Sequence, residues 1–247
     1  RQRTWMPLPD AQPLPAGTAD SGPPPGPIIR MQHAIAERVA AVAGVQSAAF
    51  TSASDGLPLD GDGRSGAIFV EGRIVGDTLP RPKEIQFASP GFFGTMMTPL
   101  VAGREFDWSE VEQGRPVALV SENFARAEWG SAAAALGRRI SLQPTGPWLD
   151  VVGVVKDVRH NGLNADAPET VVLPPVARDT ATFVVRSQRA GTAVFVDELR
   201  RAVWSVNGNL SLAGVQTLGE MYERSMARTS MVLKLLALTG LVARILG

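Results

Sequence analysis

The residues most suited to chemistry in this sequence are Asp157, Arg159 and His160, which end a β-branched run that starts at Asp150. An aspartate close to a histidine could orient it as a general base. No nucleophile or second acid is marked nearby, and Asn161–Gly162 is a typical turn dipeptide. We interpret the cluster as a polar turn after a buried strand. A hydrolase centred on Asp157 and His160 is the less favoured alternative.

Metal and cofactor sites find little support in the residue types. The chain has no cysteine and only two histidines, which excludes thiolate zinc sites, iron–sulfur clusters and thiol catalysis. Asp60 and Asp62 lie among glycines, but a calcium loop requires more oxygen ligands and a closing glutamate. The G-x-x-x-x-G-K-S/T, G-x-S-x-G and H-E-x-x-H motifs are absent. We predict no catalytic, cofactor-binding or metal-binding residue and a protein that is not an enzyme.

The composition is that of a folded chain of one or two domains. Of its 247 residues, 45% are hydrophobic and 19% are charged, so the chain can bury a core. The 24 basic and 24 acidic residues give a formal net charge of zero. A neutral chain argues against a nucleic-acid partner, because such binders neutralise many phosphates.

Strand–helix–strand patterns occur at both ends of the chain, with apolar residues at helical spacing between runs typical of strands. The predicted elements are a short strand at 4–8, a helix at 28–43, strands at 45–52 and 182–186, a helix at 191–206 and a strand at 210–215. Two such units can pair into one split βαβ, ferredoxin-like layer. We therefore predict an α+β fold, with residues 1–88 and 176–229 forming this subdomain and 89–175 an inserted small α/β subdomain.

Within the inserted block, side chains that cap helices predict where the helices begin. Ser89–Pro90 and Ser121 are expected to start two helices, and Asp107 with Glu110 has the spacing of a capping box. The helix after Ser89 carries four apolar residues: Phe92, Phe93, Met96 and Met97. Core packing is the favoured interpretation of these side chains, and an exposed patch for a partner or lipid is the alternative. His33 lies off the apolar stripe of helix 28–43 and is predicted to be a surface residue.

The C-terminal segment from Met231 to Ala243 is apolar except for Lys234 and Thr239. It is shorter than the roughly 20 residues that a membrane-spanning helix requires. The favoured interpretation is a transmembrane helix cut off partway, over 230–247, and an amphipathic core helix is the alternative.

Several segments together resemble a known family. They are SPGFFGTMMTPLVAGR from Ser89, VALVSEN from Val117, LGRRI from Leu136, VVGVVKDVRHNGL from Val151 and the pair Thr217–Leu218. Their order and spacing resemble the extracytoplasmic core domain of MacB-type ABC-transporter permeases, in the wider MacB/FtsX group. The resemblance covers residues 28 to 230, and it is closest to the duplicated orphan permeases of acidobacteria.

The resemblance implies a porter-type βαβ part built from both ends of the segment, with a small α/β part inserted between. It also implies a position outside the inner membrane, between two transmembrane helices, the second of which would begin near Met231. The implied partners are a separate cytoplasmic ATPase, a second permease copy and a periplasmic adaptor. Lys234 and Arg244 depart from the family's apolar second helix.

The expected function is therefore mechanical. The resemblance implies a non-catalytic domain that transmits ATPase-driven movement of the transmembrane helices to an extracytoplasmic partner or substrate, in efflux or an envelope process. The alternative is a free-standing module that binds a lipid, lipoprotein or peptide in a groove formed by the Phe/Met helix and the Pro-rich segment 11–27.

Overall fold

The computed structural model describes residues 26–52, 57, 64–73, 80–159, 165–178 and 180–223. These residues form an α+β fold with a two-stranded and an eight-stranded sheet, which confirms the predicted fold class. The predicted strand 4–8, the acidic loop with Asp60 and Asp62, and the apolar segment after Met231 lie outside the described residues. None of the helices among the described residues is long and apolar enough to cross a bilayer.

The small layer consists of two helices on one face of a two-stranded antiparallel sheet. Its elements are α1 (Pro27–Ala40), β1 (Val45–Ser52), β10 (Ala181–Ser187) and α6 (Ala193–Val206). Pro27 begins α1, as its fixed φ favours. Ile35 and Val39 of α1 pack with Val203 of α6 against the sheet. The pairing of β1 with β10 and the placement of both helices on one face are those expected of a split βαβ layer.

The large sheet mixes parallel and antiparallel pairs. Its strands are β2 (Arg64–Gly66), β3 (Phe69–Val70), β4 (Lys83–Phe87), β5 (Leu100–Gly103), β6 (Val117–Ser121), β7 (Arg139–Ser141), β8 (Leu149–Val155) and β9 (Thr170–Leu173). The order is β2-β4-β9-β6-β8-β7-β3, and β5 also pairs with β8. The pairs β4–β9 and β6–β8 are parallel.

Helices cover both faces of the large sheet, which explains why all five residues of the central strand β6 are buried. The helices are α2 (Phe92–Met96), α3 (Trp108–Glu112), α4 (Glu122–Trp129) and α5 (Ala132–Ala135). Neighbouring residues of one strand point to opposite faces. Accordingly, Leu119 packs in the cluster with α2 and α3, and Val120 packs in the cluster with α4 and α5.

Two predictions about the elements need correction. Helix α2 begins at Phe92 rather than at Ser89, because the Ser89 backbone and side chain hydrogen-bond to Phe50 instead. Residues 210–215 are not a strand, since among the described residues they have no ladder partner. The sequence analysis also missed β2, β5 and α5. By contrast, the capping box at Asp107 and Glu110 is confirmed.

The strands β2, β3 and β4 precede residue 88, yet they hydrogen-bond within the large sheet. Only α1 and β1, among the described elements before that residue, belong to the small layer. The chain therefore passes from one sheet to the other after β1 and again before β10.

The close approach of β8 to the segment after β5 yields a stability prediction. A methyl group added to Gly153 would overlap the carbonyl oxygen of Arg104, while one added to Gly94 meets nothing within 4 Å. We expect Gly153→Ala to lower the free energy of unfolding by about 2 kcal/mol, because backbone must shift. Gly94→Ala, the matched control, should leave it unchanged or raise it by about 0.5 kcal/mol. Urea unfolding measures both; equal values for the two variants would contradict this packing.

Candidate functional site at the junction of the two sheets

Asp157, the first residue of the polar cluster singled out in the sequence, has a structural role. The Asp157 carboxylate accepts a hydrogen bond from the backbone N–H of Asn123 at 2.7 Å and one from Arg126 Nη2 at 3.3 Å. Asp157 thus caps the first turn of α4, where unsatisfied N–H groups favour a negative charge. Arg159 is exposed, and His160 lies outside the described residues. An acid–base pair of Asp157 and His160 therefore stays an untested hypothesis.

Ser121 is the residue before α4, but its side chain does not cap the helix. Its hydroxyl donates to Asn123 Oδ1 at 2.5 Å and accepts from the Thr170 N–H at 2.8 Å. The hydroxyl therefore ties α4 to strand β9, and the distant Asp157 supplies the cap that the sequence analysis assigned to Ser121.

The junction between the two sheets is a buried set of hydrogen bonds where β4 ends. Ala88 pairs with Thr51 of β1, while its N–H donates to the Leu173 carbonyl of β9 at 3.1 Å. The Thr51 hydroxyl donates to the Phe87 carbonyl at 2.8 Å. Ser89 exchanges two bonds with Phe50: its N–H donates to the Phe50 carbonyl at 2.8 Å, and its hydroxyl accepts from the Phe50 N–H at 2.9 Å. One segment is thus bonded to both sheets.

Helix α2 follows this segment and packs under the small layer. Phe92 and Phe93 are 2% and 4% exposed, with their rings edge to face at 5.4 Å. They share a cluster with Ala49 of β1 and Val184 of β10. Core packing of the two phenylalanines is therefore confirmed. Met97 differs, since it ends the helix at φ 57° with 68% of its surface exposed.

Aromatic rings cross the junction on its other side. The His33 ring of α1 stacks on the Trp108 ring of α3, with centroids 3.6 Å apart and planes at 13°. Trp108 also approaches Phe50 at 6.1 Å, and Phe50 approaches Phe183 at 5.5 Å. The prediction of a surface histidine is wrong in this respect, because one ring face of His33 is covered. The sequence signal for this contact was a second row of inward-facing residues on α1, next to His33, in which Ile29 and Gln32 are buried.

A mixed-charge cleft lies beside the first turn of α3. Its volume is about 490 Å³, and both signs of charge line it, as Arg104, Arg115, Glu110 and Asp150. Arg104 donates two hydrogen bonds of 2.7 Å to the buried Glu110 carboxylate. These bonds lower the pKa of Glu110 and raise that of Arg104. Because two positive and two negative side chains line the cleft, and Arg104 and Glu110 pair with each other, the cleft favours neither an anion nor a cation.

Comparison with known proteins decides the family. Residues 9–204 match the family model of the MacB-like periplasmic core domain. The chain belongs to this family. No curated protein matches it.

Two solved structures illustrate the likeness. The periplasmic region of MacB from Actinobacillus actinomycetemcomitans is 17% identical, over 72% of this chain and 74% of that one, with a TM-score of 0.49. The extracellular domain of the noncanonical ABC-type transporter YknZ from Gram-positive bacteria is 13% identical, over 74% and 87%, with a TM-score of 0.47. Both TM-scores lie below 0.5, so membership of the family rests on the match of residues 9–204 to the family model.

The chemistry of this MacB-like domain agrees with a family of transporter permease domains. Within the described residues, no three His, Cys, Asp or Glu side chains form a group that could hold a metal ion. The most enclosed charge cluster joins Lys83 to Glu169 and Glu128, and Arg73 pairs with Glu128 at 2.8 Å. It ties α4 to β4. The absence of catalysis stays a prediction.

The stack across the junction is testable by a double-mutant cycle. We expect His33→Ala and Trp108→Ala to be coupled by about 0.5–1.5 kcal/mol in the free energy of unfolding, because stacked rings contribute beyond buried area. The control cycle combines His33→Ala with Trp129→Ala. Since Trp129 packs on Phe124 in the other core cluster, these two effects should add. An equal coupling energy in the two cycles would contradict the stacking of His33 on Trp108.

The Arg104–Glu110 pair predicts an acid-sensitive contribution to stability. The pKa of Glu110 lies below its ordinary value of 4.5 in the folded protein, chiefly because Arg104 hydrogen-bonds the carboxylate. Its contribution is fully present above the unfolded pKa and is lost as pH falls through the folded pKa. Glu110→Gln should therefore flatten the fall in unfolding free energy below about pH 4.5. Glu112→Gln, an exposed carboxylate on the same helix, should keep the wild-type slope.

Proposed function

We propose that this chain is the extracytoplasmic domain of a MacB-type ABC-transporter permease and that it works mechanically. Movement of the transmembrane helices, driven by a separate cytoplasmic ATPase, would turn the domain and act on a partner or substrate outside the inner membrane. The observation that carries this proposal is the match of residues 9–204 to the MacB-like periplasmic core domain.

Several finer parts belong to the same proposal. The apolar segment from Met231 would begin the second transmembrane helix of the permease. A second permease copy and a periplasmic adaptor are the expected further partners, in efflux or an envelope process. The permease would belong to the duplicated orphan permeases of acidobacteria.

We also propose a division into two subdomains. The porter-type part would comprise α1 and β1 from one end of the chain and β10 and α6 from the other. Strands β2 to β4 would join the inserted part, in keeping with their hydrogen bonding in the large sheet. This modifies the boundary that the sequence suggested at residue 88.

The contacts at the junction support a mechanical role, because they can carry force between the two parts. Thr51 and Ala88 are fully buried, and Ser89 is 2% exposed. Breaking such bonds would leave buried polar groups unpaired, which costs about 1–3 kcal/mol for each group.

A free-standing binding module, the second candidate, has less support. Its groove required the side chains of the Phe/Met helix, and Phe92 and Phe93 are buried beneath the small layer. Of its four apolar side chains, Met97 is the one left largely exposed, with Leu100 and Val101 of β5 nearby in the chain.

Membrane topology tests the proposed function. The chain itself has no cysteine. Once any cysteine elsewhere in the full-length protein is replaced, a single Ala127→Cys on the exposed side of α4 adds a specific label site. We expect a membrane-impermeant maleimide to label it in spheroplasts. The matched control is Ala118→Cys, which is fully buried in β6 and should react only after denaturation. Labelling of Ala127→Cys only after lysis would place the domain in the cytoplasm and refute the proposal.

A further inference from the structure

The small layer and the large sheet share one apolar core rather than facing each other across a cleft. A single cluster contains Ile29, Ala49 and Val184 from the small layer. The same cluster contains Leu119 and Val172 from the centre of the large sheet. Interfaces between independently moving domains are more polar than a core and allow relative motion by default. A continuous apolar core removes that freedom, because opening it would expose the cluster to water.

Directional bonds reinforce the shared core. The segment 87–89 is hydrogen-bonded on one side to Leu173 of the large sheet and on the other to Phe50 and Thr51 of the small layer. The Gln32 side chain of α1 also donates to the Arg178 carbonyl, in the connection between β9 and β10, at 3.1 Å. A hinge at the junction would have to break the bonds of segment 87–89 and also separate His33 from Trp108.

We infer that the small layer and the large sheet move as one rigid body, with no working hinge between them. What this rigid body means for force transmission rests on the proposed function. Force that enters through the small layer reaches the large sheet as a rotation of the whole domain, and not as closure of a clamp. A partner is then engaged on the outer surface of the domain and not between its two parts.

Distances between spin labels test the inference directly. Arg38→Cys on α1 and Ala127→Cys on α4 place exposed labels on the two parts. The control pair, Glu112→Cys with Ala127→Cys, lies wholly on helices of the large sheet. We expect double electron–electron resonance on the purified chain to give one distance for each pair, with equal widths. In the full-length permease assembled with its ATPase, neither distance should change when ATP is added.

The positive control for the assay is Thr51→Val combined with Ser89→Ala, which removes the side-chain bonds of the junction. We expect it to widen the Arg38–Ala127 distribution and to leave the control pair unchanged. If this double variant does not fold, urea unfolding of the protein with its wild-type junction provides the second measurement. Labels at Arg38 and at Ala127 should then report one shared midpoint.

A second Arg38–Ala127 distance, a width above that of the control pair, or two separate unfolding midpoints would each overturn the rigid body. These outcomes do not depend on where the protein resides in the cell. The maleimide experiment can therefore refute the proposed function while the rigid body stands, and the reverse also holds.

Discussion

The fold depends on the hydrogen-bonded crossing at residues 87–89, where one segment serves two sheets at once. Backbone N–H and C=O groups buried away from water must find partners. Ala88 finds its partners in β9 on one side and in β1 on the other. Because Thr51 and Ser89 satisfy the remaining groups with side-chain hydroxyls, the crossing can be fully buried. The small layer and the large sheet are consequently held in one fixed arrangement.

The helices near the crossing extend this constraint in two directions. Helix α2 follows the crossing directly, and its Phe92 and Phe93 side chains pack against β1 and β10. Helix α3 lies on the other side, where its capping box fixes the first turn and presents Trp108 to His33. The short helices thus add contacts between the two-stranded small layer and the rest of the domain. In the mechanical role proposed above, such anchoring would matter more than a pocket, since force would have to pass through it.

Much of the fold could be predicted because its signals are local. The apolar stripe of α1, the β-branched run of β8 and the capping spacing at Asp107 each involve residues that are close in sequence. The predictions failed where a residue that is typical of a helix cap hydrogen-bonds instead to a residue distant in sequence. Ser89 has the type of a helix cap, yet the edge of β1 takes both its N–H and its hydroxyl. Ser121 likewise bonds to Thr170, and Asp157 provides the cap from 34 residues away.

The sequence by itself determined the α+β class, the positions of most helices and strands, and a resemblance that the family match over residues 9–204 confirmed. Periodicity and caps suffice for these because they act over one or two turns of chain. Only the tertiary structure decided which strands join which sheet, that Asp157 caps α4, and that His33 meets Trp108 across the junction. The cap joins residues 34 positions apart and the ring stack joins residues 75 positions apart, and buried polar groups and rings take such partners by position in space.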